Sequence, residues 1–281
     1  MIIDCHTHIN HYKDESLDRT QENLEKLQRE MRRNRVDIAL VLTSYKDVPG
    51  RPSTRTVVEA TRELNSIYVV AGINFVDFRP EYLTELREYL QEGSVRGLKL
   101  YPGYQPFYPS DPALEPVYSL AEEYDVPVMI HTGDTYSPKG KVKFSHPLNI
   151  DEVAVDHPNV NFVICHVGNP WVRDCMEVVY KNSNAYADIS GLVLGNFSDR
   201  FEKFMRTQIQ EMLLFGVQPE KVLYGTDWPI SEMDSYLEFM EELKLPNRDK
   251  QKILYENSAK LFKLSAKDSP YEKGSLLNRL R

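Results

Sequence analysis

Short apolar runs recur along the chain, each rich in β-branched or aromatic residues, and each gives way to a longer stretch in which apolar residues return every three or four positions. Eight such runs stand at 2–8, 36–43, 68–74, 95–101, 127–131, 161–166, 185–189 and 222–227. The helical stretches between them include 18–34, with Leu24, Leu27 and Met31 on one face, and 80–92, with Tyr82, Leu83, Leu86, Tyr89 and Leu90. Further helices are expected at 113–124, 148–156, 171–181, 197–215 and 235–243, and a closing one at 251–264. Strands that alternate with helices pair in parallel, because the crossover helix returns the chain to the same edge. The chain has 281 residues, somewhat above the roughly 250 usual for eight such units. The pattern predicts an α/β fold of one domain, a (β/α)8 TIM barrel over residues 1–264, followed by a polar surface arm over 265–281. The glycine-rich turn of an open dinucleotide-binding sheet is missing after the first strand, and so is a phosphate loop.

Composition adds exclusions. Hydrophobic residues make up 41% and charged residues 27%, as in ordinary globular chains. No apolar run approaches the roughly 20 residues that span a bilayer. The first ten residues hold two histidines and an aspartate where a signal peptide would stay apolar, so a cytoplasmic location is expected. A formal net charge of -8 argues against nucleic acid or anionic membrane as partner. The three cysteines, Cys5, Cys165 and Cys175, are odd in number and lack CxxC spacing, which fits a reducing compartment without a disulfide framework. Strand neighbours face opposite ways, so Cys5 and Cys165 are expected to point away from any site that holds His6 and His166.

In a (β/α)8 barrel the site lies where the C-terminal strand ends open into loops. Strand one ends in His6 and His8, strand four in Lys99, strand five in His131, strand six in His166 and strand eight in Asp227. Imidazole nitrogen and carboxylate oxygen suit Zn²⁺ and related ions. His6 and His8 share one strand face about 6.5 Å apart at Cα, close enough to converge on one ion. His131 and Asp227 are the candidates for a third and fourth ligand. Burying such groups unpaired would be costly, which disfavours a purely structural role. Asp4 has the same parity as His6 and His8 and is expected one layer below them. His11, His146 and His157 stand outside the pattern, the last expected at the surface and the other two in loops at or near the mouth.

The strings IDCHTHI, VRGLKLYP, PVMIHTG, FVICHVG, LYGTDWP and ENSAKLF follow one another across residues 1–264. In that order they resemble the amidohydrolase superfamily, and more narrowly its amidohydrolase-related branch (amidohydrolase family 2) of metal-dependent hydrolases and decarboxylases. The resemblance implies a divalent metal held by His6, His8, His131 and Asp227, one Zn²⁺ in the first place with Mn²⁺ as the alternative. It also implies that Asp227 is the catalytic base and that His166 polarises substrate or handles a proton. Lys99 has two readings. In two-metal branches a carboxylated lysine at this place bridges the ions, with His131 and His166 on the second one. In single-metal members the lysine is unmodified and can receive a substrate carboxylate, and this reading is preferred. Tyr101, Tyr104, Trp171 and Trp228 follow strand ends, and Arg51 lies in the loop YKDVPGRPSTR after strand two; these are further substrate-binding candidates.

The function expected first is metal-dependent hydrolysis, with an activated water attacking an amide, ester or lactone carbonyl of a small carboxylated substrate. The alternative enzyme is a metal-dependent non-oxidative decarboxylase of an aromatic or unsaturated acid. An alternative of another class is a catalytically inactive barrel that binds a small molecule, disfavoured because the ligand set is complete. The partner implied is a small-molecule substrate, with neither nucleic acid nor membrane, and a homodimer is admitted.

Overall fold

A computed structural model describes residues 1–265, so the arm expected at 265–281 lies, apart from Ser265, outside the described residues. Eight parallel strands form one sheet in chain order. They are β1 (Ile3–Thr7), β2 (Ile38–Leu42), β3 (Ile67–Gly72), β4 (Val95–Leu100), β5 (Val128–Ile130), β6 (Phe162–Ile164), β7 (Ala185–Asp188) and β8 (Val222–Leu223). The sheet closes on itself through the chain that follows β8. Cys5 N–H donates to the Tyr224 carbonyl at 3.0 Å, Asp227 N–H to the His6 carbonyl at 2.8 Å, and His8 N–H to the Trp228 carbonyl at 2.7 Å. The expected (β/α)8 barrel is therefore the fold, with the eighth strand shorter than its apolar run because residues beyond Leu223 leave strand geometry to bond with β1.

Helices α1 (Thr20–Asn34), α2 (Thr54–Thr61), α3 (Pro80–Glu92), α4 (Glu115–Tyr124), α5 (Leu148–Asp156), α6 (Val172–Lys181), α7 (Asp199–Phe215) and α8 (Met233–Glu242) surround the sheet. Helix α2 was not expected; it is only eight residues long and starts on the Ser53 hydroxyl, which accepts from Thr56 N–H at 3.2 Å. The closing helix is not continuous. It runs as α9 (Asn247–Gln251), a π turn over Lys252–Glu256, and α10 (Asn257–Leu261). The wide turn lets the Ile253 carbonyl accept from Tyr224 N–H at 3.0 Å and so tie this segment to the barrel seam. No helix among the described residues is long and apolar enough to cross a membrane.

Two apolar layers hold the molecule together. The outer one packs Ala39, Val41, Leu98, Val128, Ile130 and Ile164 against the helices. The inner one fills the lumen with Ile3, Ile38, Leu40, Met129, Val163 and Leu223, and is plugged from below by Leu261, Phe262 and Leu264. Cys5 and Cys165 belong to this inner layer, which corrects the expectation that they face away from the site. Strict alternation fails at both places. Between Asp4 and Thr7 the register of β1 slips by one residue against β2, and after Cys165 the backbone turns left-handed at His166 (φ 60°) and Val167 (φ 44°). Each break allows a cysteine and the following histidine to serve the same side of the barrel.

Candidate metal centre

His6 lies near the end of β1 and His8 just beyond it, and both turn Nε2 toward Asp227 in the loop after β8. Asp227 Oδ1 stands 3.8 Å from His6 Nε2 and 3.2 Å from His8 Nε2. A tetrahedral ion with ligand bonds near 2.1 Å separates its ligand atoms by about 3.4 Å, so this trio fits one such ion. The other ring nitrogens are committed. His6 Nδ1 donates to Asp188 Oδ2 at 3.0 Å and His8 Nδ1 to the Leu42 carbonyl at 2.8 Å. A carbonyl or an ionised carboxylate only accepts, so the proton of each neutral ring is on Nδ1 and the lone pair faces the centre from Nε2. Burial lowers the pKa of His6 to about 3, helped by the Lys99 charge, and burial likewise holds His131 and His166 below the ordinary imidazole value. Burial thus favours the neutral form of these three rings, the form in which an imidazole can ligate.

Burial works against the charge of Asp227, but the His8, His6 and His166 side chains gathered around it outweigh burial and hold the carboxyl well below the usual carboxylate range. Asp4 steers the loop that carries Asp227. Its Oδ2 accepts the Thr226 hydroxyl at 2.6 Å, and its Oδ1 accepts the backbone N–H groups of Thr226 at 3.0 Å and His6 at 3.2 Å.

His131 and His166 complete the ring of imidazoles, their centroids 5.2 Å apart. His166 lies 4.9 Å from His6, and its Nδ1 donates to the Ser190 carbonyl at 3.0 Å, leaving Nε2 as the acceptor. His131 is turned otherwise: its Nε2 donates to the Asp134 carbonyl at 3.0 Å, so it stands beside the His6, His8 and Asp227 trio and not within it. Asp227 (φ 66°), like His166, adopts left-handed backbone. Each such residue costs about 1–2 kcal/mol and persists where surrounding contacts enforce it, commonly at functional sites. Gly191 (φ 62°) packs beneath both. A Cβ built there would lie 2.5 Å from His166 Nδ1 and 2.9 Å from Asp227 Oδ2.

These groups form the floor of a cavity of about 1010 Å³, walled by Tyr12, Tyr45, Tyr101 and Tyr104, with Arg51 and Lys99 among its cations. The Tyr45 ring lies 5.1 Å from that of Tyr101, and the Tyr104 ring 4.6 Å from that of His131. Arg51 reaches the mouth over the Tyr12 ring, 4.2 Å from its centroid, while Glu15 accepts from it at 2.7 Å. Lys99 is sunk in the lumen, and its Nζ donates to Cys165 Sγ at 2.7 Å. Trp171 and Trp228 do not line the cavity. Trp171 packs on His146, 4.7 Å between rings, and Trp228 is buried in the outer apolar layer. His157 is not a surface residue; it lies half-buried on Tyr118. Asp188 and Ser190 at the end of β7 were missed, although the question put to the other strand ends points to Asp188 as well.

The profile of the amidohydrolase family matches residues 3–264. A gamma-resorcylate decarboxylase of Rhodococcus jostii (strain RHA1) is 24% identical over 191 residues, covering 58% of this chain and 57% of that one. The chain thus spans somewhat over half the length of the curated relatives it matches. Among solved structures, an uncharacterized TIM-barrel protein from Bordetella bronchiseptica superposes with a TM-score of 0.70 at 21% identity, covering 94% of this chain and 98% of that one. A dihydroxybenzoic acid decarboxylase from Polaromonas sp. JS666, with bound manganese and the inhibitor 2-nitroresorcinol, does so with a TM-score of 0.67 at 16% identity, covering 96% and 99%. At these identities the structural likenesses establish the fold alone.

Proposed function

Because the chain belongs to the amidohydrolase family, we propose that it is a metal-dependent, non-oxidative decarboxylase of a small hydroxylated aromatic acid. Hydrolysis was the first expectation from sequence and decarboxylation the second; the named curated relatives favour the reverse order. The observation that carries the proposal is the tyrosine wall of Tyr12, Tyr45, Tyr101 and Tyr104 facing the metal-donor trio, a shape suited to a flat ring held by its oxygens.

His6, His8 and Asp227 would hold the ion, Zn²⁺ or Mn²⁺. When bound, it supplies the Lewis acidity that fixes an acidic aromatic ligand by its oxygen atoms. Loss of carbon dioxide from an aromatic ring requires a proton at the carbon that carries the carboxylate. Asp227, which starts as a carboxylate, takes up the proton that the substrate hydroxyl gives up on binding and delivers it to that carbon. The electron pair of the ring–carboxylate bond then returns to the ring as carbon dioxide leaves, so one C–H bond replaces one C–C bond. His166 presents its Nε2 lone pair to the cavity and accepts a hydrogen bond from a substrate hydroxyl. Arg51 meets negative charge at the mouth.

The test is a panel of 2,6-dihydroxybenzoate and other hydroxybenzoates followed by carbon dioxide release and by the ultraviolet spectrum of the arene. A parallel panel of lactones, esters and amides is followed by acid release. The proposal expects turnover in the first panel. Acid release from the second with no carbon dioxide from the first would overturn it.

A further inference from the structure

Strand β7 delivers to the site a carboxylate that neither holds the ion nor meets the substrate in the scheme above. Asp188 is fully buried, and both of its oxygens are engaged. Oδ2 accepts from His6 Nδ1 at 3.0 Å. Oδ1 accepts the backbone N–H groups of His166 and Ser190, each at 3.0 Å, and the Ser190 hydroxyl at 2.5 Å. A hydroxyl has one proton, so Ser190 Oγ, having donated it to Asp188, is an acceptor. It lies 2.9 Å from Nδ1 of His6 and 2.9 Å from Nδ1 of His166.

We infer that Asp188 and Ser190 act as a positioning pair that sets, through one carboxylate, the metal-facing nitrogen of His6 and the substrate-facing nitrogen of His166. The inference rests on the metal-dependent reading of this site, and only its kinetic readout depends on the substrate proposed above. A neutral imidazole has one N–H, so an acceptor fixed at Nδ1 commits the lone pair to Nε2. Asp188 Oδ2 does this for the His6 ring. Asp188 Oδ1 holds the left-handed backbone of His166, while Ser190 accepts from its ring with both carbonyl and hydroxyl oxygens. A carboxamide at position 188 offers N–H groups as well as an oxygen. It can approach His6 Nδ1 as a donor, which moves the ring proton to Nε2 and removes the ligand atom. The competing role for Asp188 is to satisfy the two backbone N–H groups, which an amide oxygen can do equally well.

The experiment titrates Co²⁺ into metal-free full-length wild type, D188N and S190A, because zinc has a filled d shell and no visible spectrum of its own. Affinity is read by chelator competition and geometry by the visible absorption envelope, with circular dichroism and Tm of the metal-free forms as the check on folding. D188N is expected to weaken Co²⁺ ~10–100-fold and to change the envelope. S190A is expected to weaken Co²⁺ less, and to lower kcat ~10-fold with KM unchanged once metal is saturating. A folded D188N with wild-type affinity and spectrum overturns the pair. Should D188N fail to fold, S190A decides: an unchanged spectrum together with unchanged kcat overturns it equally. Wild type that takes up no Co²⁺ overturns the metal-dependent reading itself, which separates that failure from failure of the pair.

Discussion

Replacing Gly191 with alanine places a methyl group between His166 and Asp227, the two residues that carry the proposed chemistry. Its Cβ would stand 2.5 Å from His166 Nδ1, and contact relaxes to the ordinary range only at 3.4 Å, so the imidazole must retreat by about 0.9 Å or the backbone must give way. Asp227 Oδ2, at 2.9 Å, is pushed at the same time. The left-handed backbone adds about 1–2 kcal/mol for any residue with a Cβ, and overpacking adds about 1–3 kcal/mol. A loss of about 2–5 kcal/mol lowers Tm by roughly 4–20 °C in a chain of this size. A displacement near 1 Å at the reacting groups costs about a hundredfold in rate. Gly195 supplies the control: it has φ 72° and nothing within 4 Å of a built Cβ. G195A therefore has the backbone penalty without the collision, and should lose a few degrees of Tm while retaining kcat. Both variants are assayed by thermal melting and by steady-state carbon dioxide release well below either Tm. If G191A matches G195A in kcat, the packing of His166 and Asp227 against Gly191 is not what holds them in register, and the reasoning fails.

D227N should reduce kcat by at least ~10²-fold while leaving the circular dichroism spectrum intact, since in the proposed mechanism Asp227 both holds metal and moves the proton; near-normal turnover would remove it from the mechanism. Purified protein should contain one equivalent of Zn²⁺ or Mn²⁺ by elemental analysis, and metal restored at 100 times its Kd should stabilise the chelated protein by about 2.7 kcal/mol. Two equivalents would speak for a carboxylated Lys99 instead. At the mouth, burial pushes the Glu15 carboxyl up, but the hydrogen bonds from Lys46 and Arg51 outweigh this and hold it below its ordinary value. The stabilisation is therefore present above the unfolded value of about 4.3 and is lost as pH falls through the folded one. E15Q should melt about 1–3 °C below wild type at pH 7, as suits a weak, partly exposed network, and the gap should close as pH falls through the folded value. A gap that persists at low pH would assign it to packing.

The barrel was legible because strands buried on both faces leave unbroken apolar runs, and the seven-histidine content is low enough for four strand-end histidines to stand out. What escaped depended on backbone detail that a period of two cannot show. The slip in β1 and the left-handed turn at His166 bring Cys5 and Cys165 inward, and neither leaves a sign in the residue types. The side turned by His131 depends on where the following loop presents the Asp134 carbonyl. Trp228 follows Asp227 in sequence yet packs behind the barrel, because the chain has by then turned to bond with β1. Asp188, in the string ADIS, looks like any aspartate at the end of a strand until the His6 ring is placed beside it.

Leu261, Phe262 and Leu264 stopper the lumen below Lys99, so among the described residues the chamber does not open through the foot of the barrel. In the proposed reaction both products then leave on the side from which the substrate entered. Until they part, the two remain an encounter pair facing the same metal and the same aspartate. By microscopic reversibility, dissolved carbon dioxide and the free arene, supplied together at high concentration, should run the proposed chemistry backward by the same route.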